Sequence, residues 1–285
     1  MVTHGLDPGE SKPQSYLTDF EISQRRQAMG RVLSIATPKL DRLFELVGNS
    51  GCGIALTDCD GVVLDHRYSV ADETVFYGWG LGLGANWSEA SEGTNGIGTC
   101  LAESRNVIIH RNEHFLVRNI GMSCIDAPIF GAEGDIVAAL DVSSARADQT
   151  KAINGLIAAM VVQTARKIEA DIFRETYARE RIVVANGDDS EHAMLVAVDV
   201  DDIVVGATRA ARKAFGFELE GLLKPRPAVD IFGRTEGLSG FEKAERAAVV
   251  RALVRAGQNV SLAARALGVS RATLYRRMKR LGLTD

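Results

Sequence analysis

The sequence predicts an α+β fold: an antiparallel sheet with helices packed on it, followed by a small all-α module at the carboxyl end. Three observations carry that expectation. Short apolar or alternating runs bounded by turn residues occupy 53–57, 62–64, 107–109, 123–130 and 136–142, the pattern of strands. Apolar residues three and four apart frame those runs on both sides, the pattern of helices. Charge is divided along the chain: residues 241–285 hold ten Lys/Arg and three Asp/Glu, leaving 23 against 34 for residues 1–240. The formal net charge of -4 therefore hides a basic end of +7 and an acidic remainder of -11. A local excess of cations at one terminus is the electrostatic footprint of a phosphate-binding module.

Taken in order, residues 1–18 are rich in Gly, Pro, Ser and charge and are expected to form a flexible tail. Two helical segments follow between Asp19 and Gly48, with a break expected near Thr37-Pro38 because proline disrupts a helix interior. The turn Asp58-Cys59-Asp60-Gly61 joins the first two strands as a hairpin, and 131–134 turns between the last two. Short helices are expected over 71–77, 94–104 and 113–119. A long amphipathic helix is expected over 151–181, where Ile153, Ile157, Met160, Thr164, Ile168 and Ile172 recur at helical spacing. A helix of that length reads as a dimer spine, and the alternative is a helix lying on its own sheet. Residues 193–205 read as two strands around an acidic turn, with short helices over 207–215 and 218–223 and a linker over 233–240.

The basic end resolves into three helices. The first runs over about 242–255, with Ala247, Val250 and Val254 at helical spacing. The second runs over 260–267 and buries Ala263, Ala264 and Leu267. Gly268 ends it, and Ser270 caps the third, so the last two helices form a helix-turn-helix. Leu274, Met278 and Leu281 make the inward stripe of the third helix. Its other face is the expected double-stranded DNA contact: Arg271 first, with Thr273, Tyr275 and Arg276 beside it, toward base edges, Arg277, Lys279 and Arg280 toward phosphates, and the capping Ser270 also among the DNA-binding residues. The stretch NVSLAARALGVSRATLYRRMKRLG at 259–282 resembles the Fis family of helix-turn-helix domains. That resemblance implies a homodimer reading two half-sites.

Upstream, NWSEASEGTNGIGT at 86–99, NEHF at 112–115 and CIDAPI at 124–129 occur in order and resemble the GAF domain of regulators similar to the acetoin catabolism regulator. Cys100 stands where that family is expected to carry a small alanine. The resemblance implies a GAF-like antiparallel sheet that binds a small effector and passes its state to DNA. The organisation expected is an N-terminal helix over 19–34, a GAF-like sensor over 35–175 including the long helix, a truncated PAS-like spacer over 176–232, the linker, and the Fis-type module over 241–285. Regulators of this type normally carry a central ATPase that remodels sigma-54 polymerase. This sequence contains no GxxxxGK[ST] phosphate loop. RNA polymerase with the housekeeping sigma factor is the further partner expected, or a second activator that is modulated.

Glycines 93, 96 and 98 permit a tight path and close approach to a ligand or a neighbouring strand, while Thr94 or Asn95 can cap the helix that follows. Phe76, Trp79, Trp87, Thr94, Asn95, His114 and Cys124 are the expected effector contacts, with ordinary core packing as the other reading of the aromatic residues. No cofactor or metal site is expected. His110 and His114 are four apart, but the strand-to-helix boundary expected between them argues against a metal site there. Four cysteines, Cys52, Cys59, Cys100 and Cys124, form no CxxC pair, which argues against both a disulfide framework and a zinc ribbon. A GAF fold can also be a cysteine enzyme, as in the free methionine sulfoxide reductases, or a thiol redox sensor. Either requires an activated thiolate at Cys100 or Cys124. No run approaches the ~20 apolar residues needed to cross a bilayer, and the opening residues lack a basic n-region and an h-region, so a cytoplasmic protein without membrane contact is expected.

Overall fold

The computed structural model describes residues 5–9, 15–144, 146, 150–185, 194–232 and 240–284. They fall into two compact units, Met1–Ile231 and Phe232–Asp285.

The first unit opens with α1 (Asp19–Ala28) and α2 (Gly30–Val47). Thr18 starts α1 through a reciprocal cap: its backbone N–H donates to Glu21 at 2.8 Å, and its hydroxyl accepts from the Glu21 amide at 3.3 Å. The interruption falls at Met29, not at the expected Thr37-Pro38, and Pro38 lies inside α2. Near the proline, Thr37 Oγ1 donates to Leu33 O and Lys39 Nζ to Ile35 O, each at 2.9 Å. Burial of Leu33, Ala36, Leu40, Leu43 and Val47 on one face outweighs the one lost backbone bond. Residues 15–17, expected within a flexible tail, are tied down: Leu17 N–H donates to Gly84 O at 2.9 Å and Asn86 N–H to Ser15 O at 3.1 Å. Residues 1–4 and 10–14 of that tail lie outside the described residues.

A five-stranded antiparallel sheet follows. It is made of β1 (Cys52–Asp58), β2 (Val63–Arg67), β3 (Val107–His110), β4 (Ser123–Phe130) and β5 (Ile136–Ser144), in the order β2-β1-β5-β4-β3. Between β2 and β3 run α3 (Glu73–Gly78), α4 (Glu89–Glu92) and α5 (Gly96–Glu103). The two-residue period of the strands gives the sheet two unlike faces. Ile54, Leu56, Ile125, Ala127, Ile129, Leu140 and Val142 pack against α2 and against α6 (Lys151–Thr176) in the main core. Ala55, Cys124 and Ala139 face the other way, into a second cluster with Phe76, Leu81, Trp87, Ile97 and Met122.

The helix expected over 113–119 is two single 3-10 turns, Arg111–Glu113 and Val117–Asn119. Contacts distant in sequence hold the segment irregular: Phe115 N–H donates to Thr94 O at 2.9 Å, and Asn119 Nδ2 donates to the buried Glu92 carboxylate at 3.1 Å. On α6 the buried residues are Asn154, Ile157, Val161, Ala165, Ile168, Ala170, Ile172 and Phe173. Of the stripe expected for a dimer seam, Ile157, Ile168 and Ile172 are buried, and α6 packs on its own sheet and on α2. Ile153 and Leu156 are left outward, 44% and 71% exposed.

The rest of the unit is a second antiparallel sheet, β6 (Arg181–Ala185), β7 (Met194–Val198), β8 (Ile203–Ala207) and β9 (Arg226–Pro227), with α7 (Arg209–Phe215) and α8 (Ala228–Phe232). Of its strands the sequence predicts only β7 and β8. The helix expected over 218–223 does not form, because Gly221 takes a φ of 83° and its N–H donates to Glu133 O at 2.9 Å, across the turn between β4 and β5. Arg209 Nη1 donates to Gly134 O of the same turn at 2.7 Å. The two sheets are thus joined at the β4–β5 turn.

The second unit is α9 (Gly240–Arg255), α10 (Val260–Ala266) and α11 (Arg271–Arg280) around a core of Val249, Ala252, Leu253, Ala263, Ala264, Leu274, Met278 and Leu281. The expected inward stripe of α9 is displaced by about one residue: Val249, Ala252 and Leu253 are buried, whereas Val254 is 64% exposed. Both stripes have helical spacing, and the small residues of α10 select the one that docks. Residues 233–239 of the expected linker lie outside the described residues.

Candidate functional site

In the second unit, Ser270 caps α11 by accepting from the Thr273 amide at 3.1 Å. With Leu274, Met278 and Leu281 buried, the same helix leaves Arg271, Tyr275, Arg276, Arg277, Lys279 and Arg280 exposed and Thr273 half-buried. Seven of the eight residues expected to meet DNA are therefore exposed, and Thr273 is partly covered. The Arg271 guanidinium stands 5.6 Å from the Tyr275 ring centroid, a cation–π contact that restrains it at the start of the helix. Arg277 and Arg280 also pair with Glu245 of α9, the former at 3.2 Å.

The second constellation lies on the inner face of the first sheet, under the start of α5. Asn95 caps that helix, its Oδ1 accepting from Gly98 N–H and its Nδ2 donating to Gly93 O, both at 2.8 Å. Thr94 is exposed. A Cβ on Gly96 would lie 2.0 Å from Asp126 Oδ2 and 2.6 Å from Cys124 Cβ, and one on Gly98 would lie 2.6 Å from Glu89 N. These glycines serve close approach to neighbouring backbone and strand.

Around Cys124 the side chains form a relay. His114 Nδ1 lies 2.9 Å from Arg111 O, so the ring proton is assigned there and Nε2 accepts from the Cys124 thiol at 3.3 Å. Ser143 Oγ lies 3.2 Å from Cys124 Sγ and 3.0 and 2.9 Å from the two Asp141 oxygens. Asp141 is the cross-strand partner of Asp126, and both are 1% exposed. Asp126 and Asp141 hydrogen-bond each other through the proton they share, and no other described side chain reaches the Asp126 oxygens. Burial pushes the Asp141 carboxyl up to about 7 against the pull of the Ser143 hydroxyl. Burial, and then the charge of Asp141, hold the Asp126 carboxyl well above the usual range. The pair therefore keeps one proton near neutrality, on Asp126.

Of the expected effector contacts, Phe76, Trp79, Trp87 and Cys124 come together in one cluster, and His114 joins it through Cys124. Phe76 stacks on Tyr68 with centroids 4.5 Å apart, and Trp87 Nε1 donates to Gly80 O at 2.8 Å. Asp126, Asp141 and Ser143 escaped the sequence reading, although a polar residue two places from Cys124 in a buried strand was a usable sign. A cavity of about 1180 Å³ lies between β3 and α6, lined by Val107, Ile108, Asp126, Ala158, Gln163 and Arg166 among others. None of the seven expected effector residues lines it.

The thiols carry no activation. Burial pushes Cys52, Cys100 and Cys124 upward, and Cys59, though exposed, is raised by partial burial and by Asp60 and Asp58. Burial also lowers His114, so the imidazole beside Cys124 is neutral and no thiolate–imidazolium pair forms. His110 engages Ser123 at 2.7 Å and Asn154 at 3.3 Å, partners different from those of His114. No described helix is long and apolar enough to cross a membrane.

Comparison with known proteins follows the same division. Residues 22–169 match the family described as MimR, N-terminal domain. The chain belongs to that family. Residues 240–281, following this MimR-type domain, match the bacterial regulatory protein, Fis family. The chain is 30% identical to the acetoin catabolism regulatory protein of Cupriavidus necator over 235 residues, 81% of this chain and 35% of that protein. It is 27% identical to the acetoin dehydrogenase operon transcriptional activator of Bacillus subtilis over 168 residues, 58% of this chain and 27% of the relative. With the propane 2-monooxygenase operon transcriptional activator of Mycolicibacterium smegmatis it shares 33% identity over 99 residues, 34% of this chain and 17% of the other. The chain thus spans about a third or less of the length of these curated relatives, which are transcriptional regulators. The MimR-type unit has the fold seen in the complex of E. coli DhaR(N) with DhaL, with a TM-score of 0.56 at 12% identity over 79% of this chain and 76% of that one. A Fis-type helix-turn-helix on a GAF-like α+β body is therefore its architecture.

Proposed function

We propose that this chain is a transcription regulator that binds duplex DNA through α11 as a homodimer and modulates that binding through a small effector held by its N-terminal unit. The observation that carries the reading is the exposed cationic surface of α11 on a packed three-helix unit, in a chain whose remainder is acidic. The N-terminal part of a recognition helix meets base edges, so Ser270, Arg271, Thr273, Tyr275 and Arg276 read sequence while Arg277, Lys279 and Arg280 hold phosphates. Two copies present their helices to half-sites about 34 Å apart. The cluster of Phe76, Trp79, Trp87, His114 and Cys124 takes the effector, and the PAS-like segment over 176–232 acts as a spacer. The names of the relatives support a role at operon promoters, with RNA polymerase as a further partner and the cytoplasm as the place of action.

An effector moves the DNA equilibrium only by its differential affinity for the two arrangements, typically about 1–3 kcal/mol of coupling. The test is operator binding by fluorescence anisotropy across salt concentrations. Arg271→Ala is expected to cost about 1–3 kcal/mol at one operator position, and Lys279→Ala to weaken all sequences alike while lowering the salt slope by about one. Operator affinity unchanged in both variants removes α11 from the reading role. Mass spectrometry of the molecule that co-purifies, followed by its effect on operator affinity, tests the sensor.

A further inference from the structure

We propose that the groove between β3 and α6 docks an extended acidic peptide segment of another protein, which adds a strand to the β3 edge and sets its carboxylates against the cations of the groove. The inference goes beyond the regulator reading and uses none of its DNA-binding or effector residues.

β3 is the last strand of its sheet, and no described strand pairs with its outer side. Arg111 N–H donates to Met122 O at 2.8 Å, and bonded positions alternate along an antiparallel pair. Val107 and Ile109 therefore bond to β4, while the N–H and C=O of Ile108 point away from it. The next outward N–H, that of His110, is already taken by Glu113 Oε2 at 2.6 Å. Edge strands guarded against pairing carry charge or proline on the strand itself. Val107–His110 has no Lys, Arg, Asp, Glu or Pro, and Ile108 is 42% exposed, so this edge is open to a partner.

α6 forms the opposite wall from Ala158 to Arg174, about 24 Å of helix, a length matched by roughly seven extended residues. Ile125, Ala158 and Val162 make part of the groove apolar. Lys39, Arg105, Arg166, Lys167 and Arg174 also line it, in a body whose net charge over residues 1–240 is -11. The carboxylates nearby do not cancel them. Asp171 serves both Lys39, at 2.8 Å, and Arg174, at 3.2 Å, and Glu103 pairs with Arg105 at the rim. Glu169, beside Arg166, accepts from Phe130 N–H at 3.0 Å, and Asp126 keeps its proton. Lys167 is exposed.

A second copy related by a twofold axis would set these cations against themselves, and a neutral or cationic strand would leave them unmatched. An acidic strand answers both walls. The residue opposite Ile108 exchanges both backbone bonds with it and turns its side chain to the same sheet face, toward α6, as do the residues two places on either side. Those are the acidic positions.

The probe is a fluorescein-labelled heptapeptide amide alternating glutamate and valine, titrated with the full chain and read by anisotropy. The comparators are a lysine–valine peptide of equal length, the glutamate peptide N-methylated at its glutamates, and free glutarate. The glutamate peptide alone is expected to bind, less tightly as salt rises. Arg105→Glu with Lys167→Glu, both at exposed positions, should weaken it roughly tenfold or more. Ile108→Pro deletes the outward N–H without breaking a bond to β4 and should abolish binding, whereas Ile108→Val keeps that N–H and should bind within about twofold of the parent. Thermal midpoints equal to that of the parent show that the variants are folded. Where Ile108→Pro does not fold, the N-methylated peptide puts the same question from the side of the ligand.

Equal binding of the lysine peptide or of the N-methylated peptide, indifference to the double charge reversal, or no binding of the glutamate peptide overturns the proposal. Glutarate competing as well as the unlabelled peptide would make the groove a site for small acids. A dimer in sedimentation that Ile108→Pro dissociates would make it an interface between copies. Either result replaces the peptide.

Discussion

Gly96 and Asp126 are in such close contact that a Cβ on residue 96 would lie 2.0 Å from Asp126 Oδ2. This contact joins the start of α5 to the middle of β4 and brings the Asn95 cap over the inner sheet face. Gly96→Ala forces the helix off the strand and should destabilise the first unit by about 1–3 kcal/mol. Urea unfolding of the full chain measures this, and a midpoint equal to that of the parent removes the contact as a constraint.

The raised carboxyls set a pH dependence. Asp126 and Asp141 hold protons more tightly folded than unfolded, so their contribution is fully present below about pH 4, the unfolded value, and is lost as pH rises through the folded values, about 7 for Asp141. At about 1.4 kcal/mol per unit, the loss from Asp141 alone amounts to roughly 3–4 kcal/mol between about pH 4 and pH 7. Glu169, half-buried on α6 and raised to about 7 by loss of solvent around its carboxyl, adds a loss of the same sign. Asp141→Asn should flatten the decline in thermal midpoint over this range relative to the parent. An unaltered slope would show that Asp141 ionises normally in the fold.

Glu245 draws Arg277 and Arg280 of α11 toward α9. Phosphate binding must compete with that carboxylate. Glu245→Ala should therefore tighten binding to nonspecific duplex by roughly 2–10-fold at low salt and steepen its salt dependence, at less than about 1 kcal/mol in stability because the arginines are half exposed. Anisotropy titrations across salt concentrations decide it. Weaker binding by a folded variant would mean that Glu245 holds the arginines in their binding pose.

The Ser270 cap holds the first turn of the reading helix. Ser270→Ala should cost about 1 kcal/mol in the second unit, visible as faster amide exchange in α11 of the full chain. Exchange rates equal to the parent would show that the cap is not needed to hold the turn.

The spacing of turn residues and of apolar residues determined, without any structure, that 123–130 and the run from Ile136 are strands, that α10 and α11 form a helix-turn-helix, and that Leu274, Met278 and Leu281 face inward. Such features are local, set by periods of two and about 3.6 and by Gly268 and Ser270 at the junctions. Tertiary structure decided the rest. Periodicity fixes the interval of a stripe and not its partner, so the inward faces of α9 and α6 were settled only by what packs on them, and Pro38 stays helical because α2 has a core to bury. Likewise the pairing of Asp126 with Asp141, and of His114 with Cys124, arises from strand register and chain crossing between residues distant in sequence. No local pattern encodes those distances.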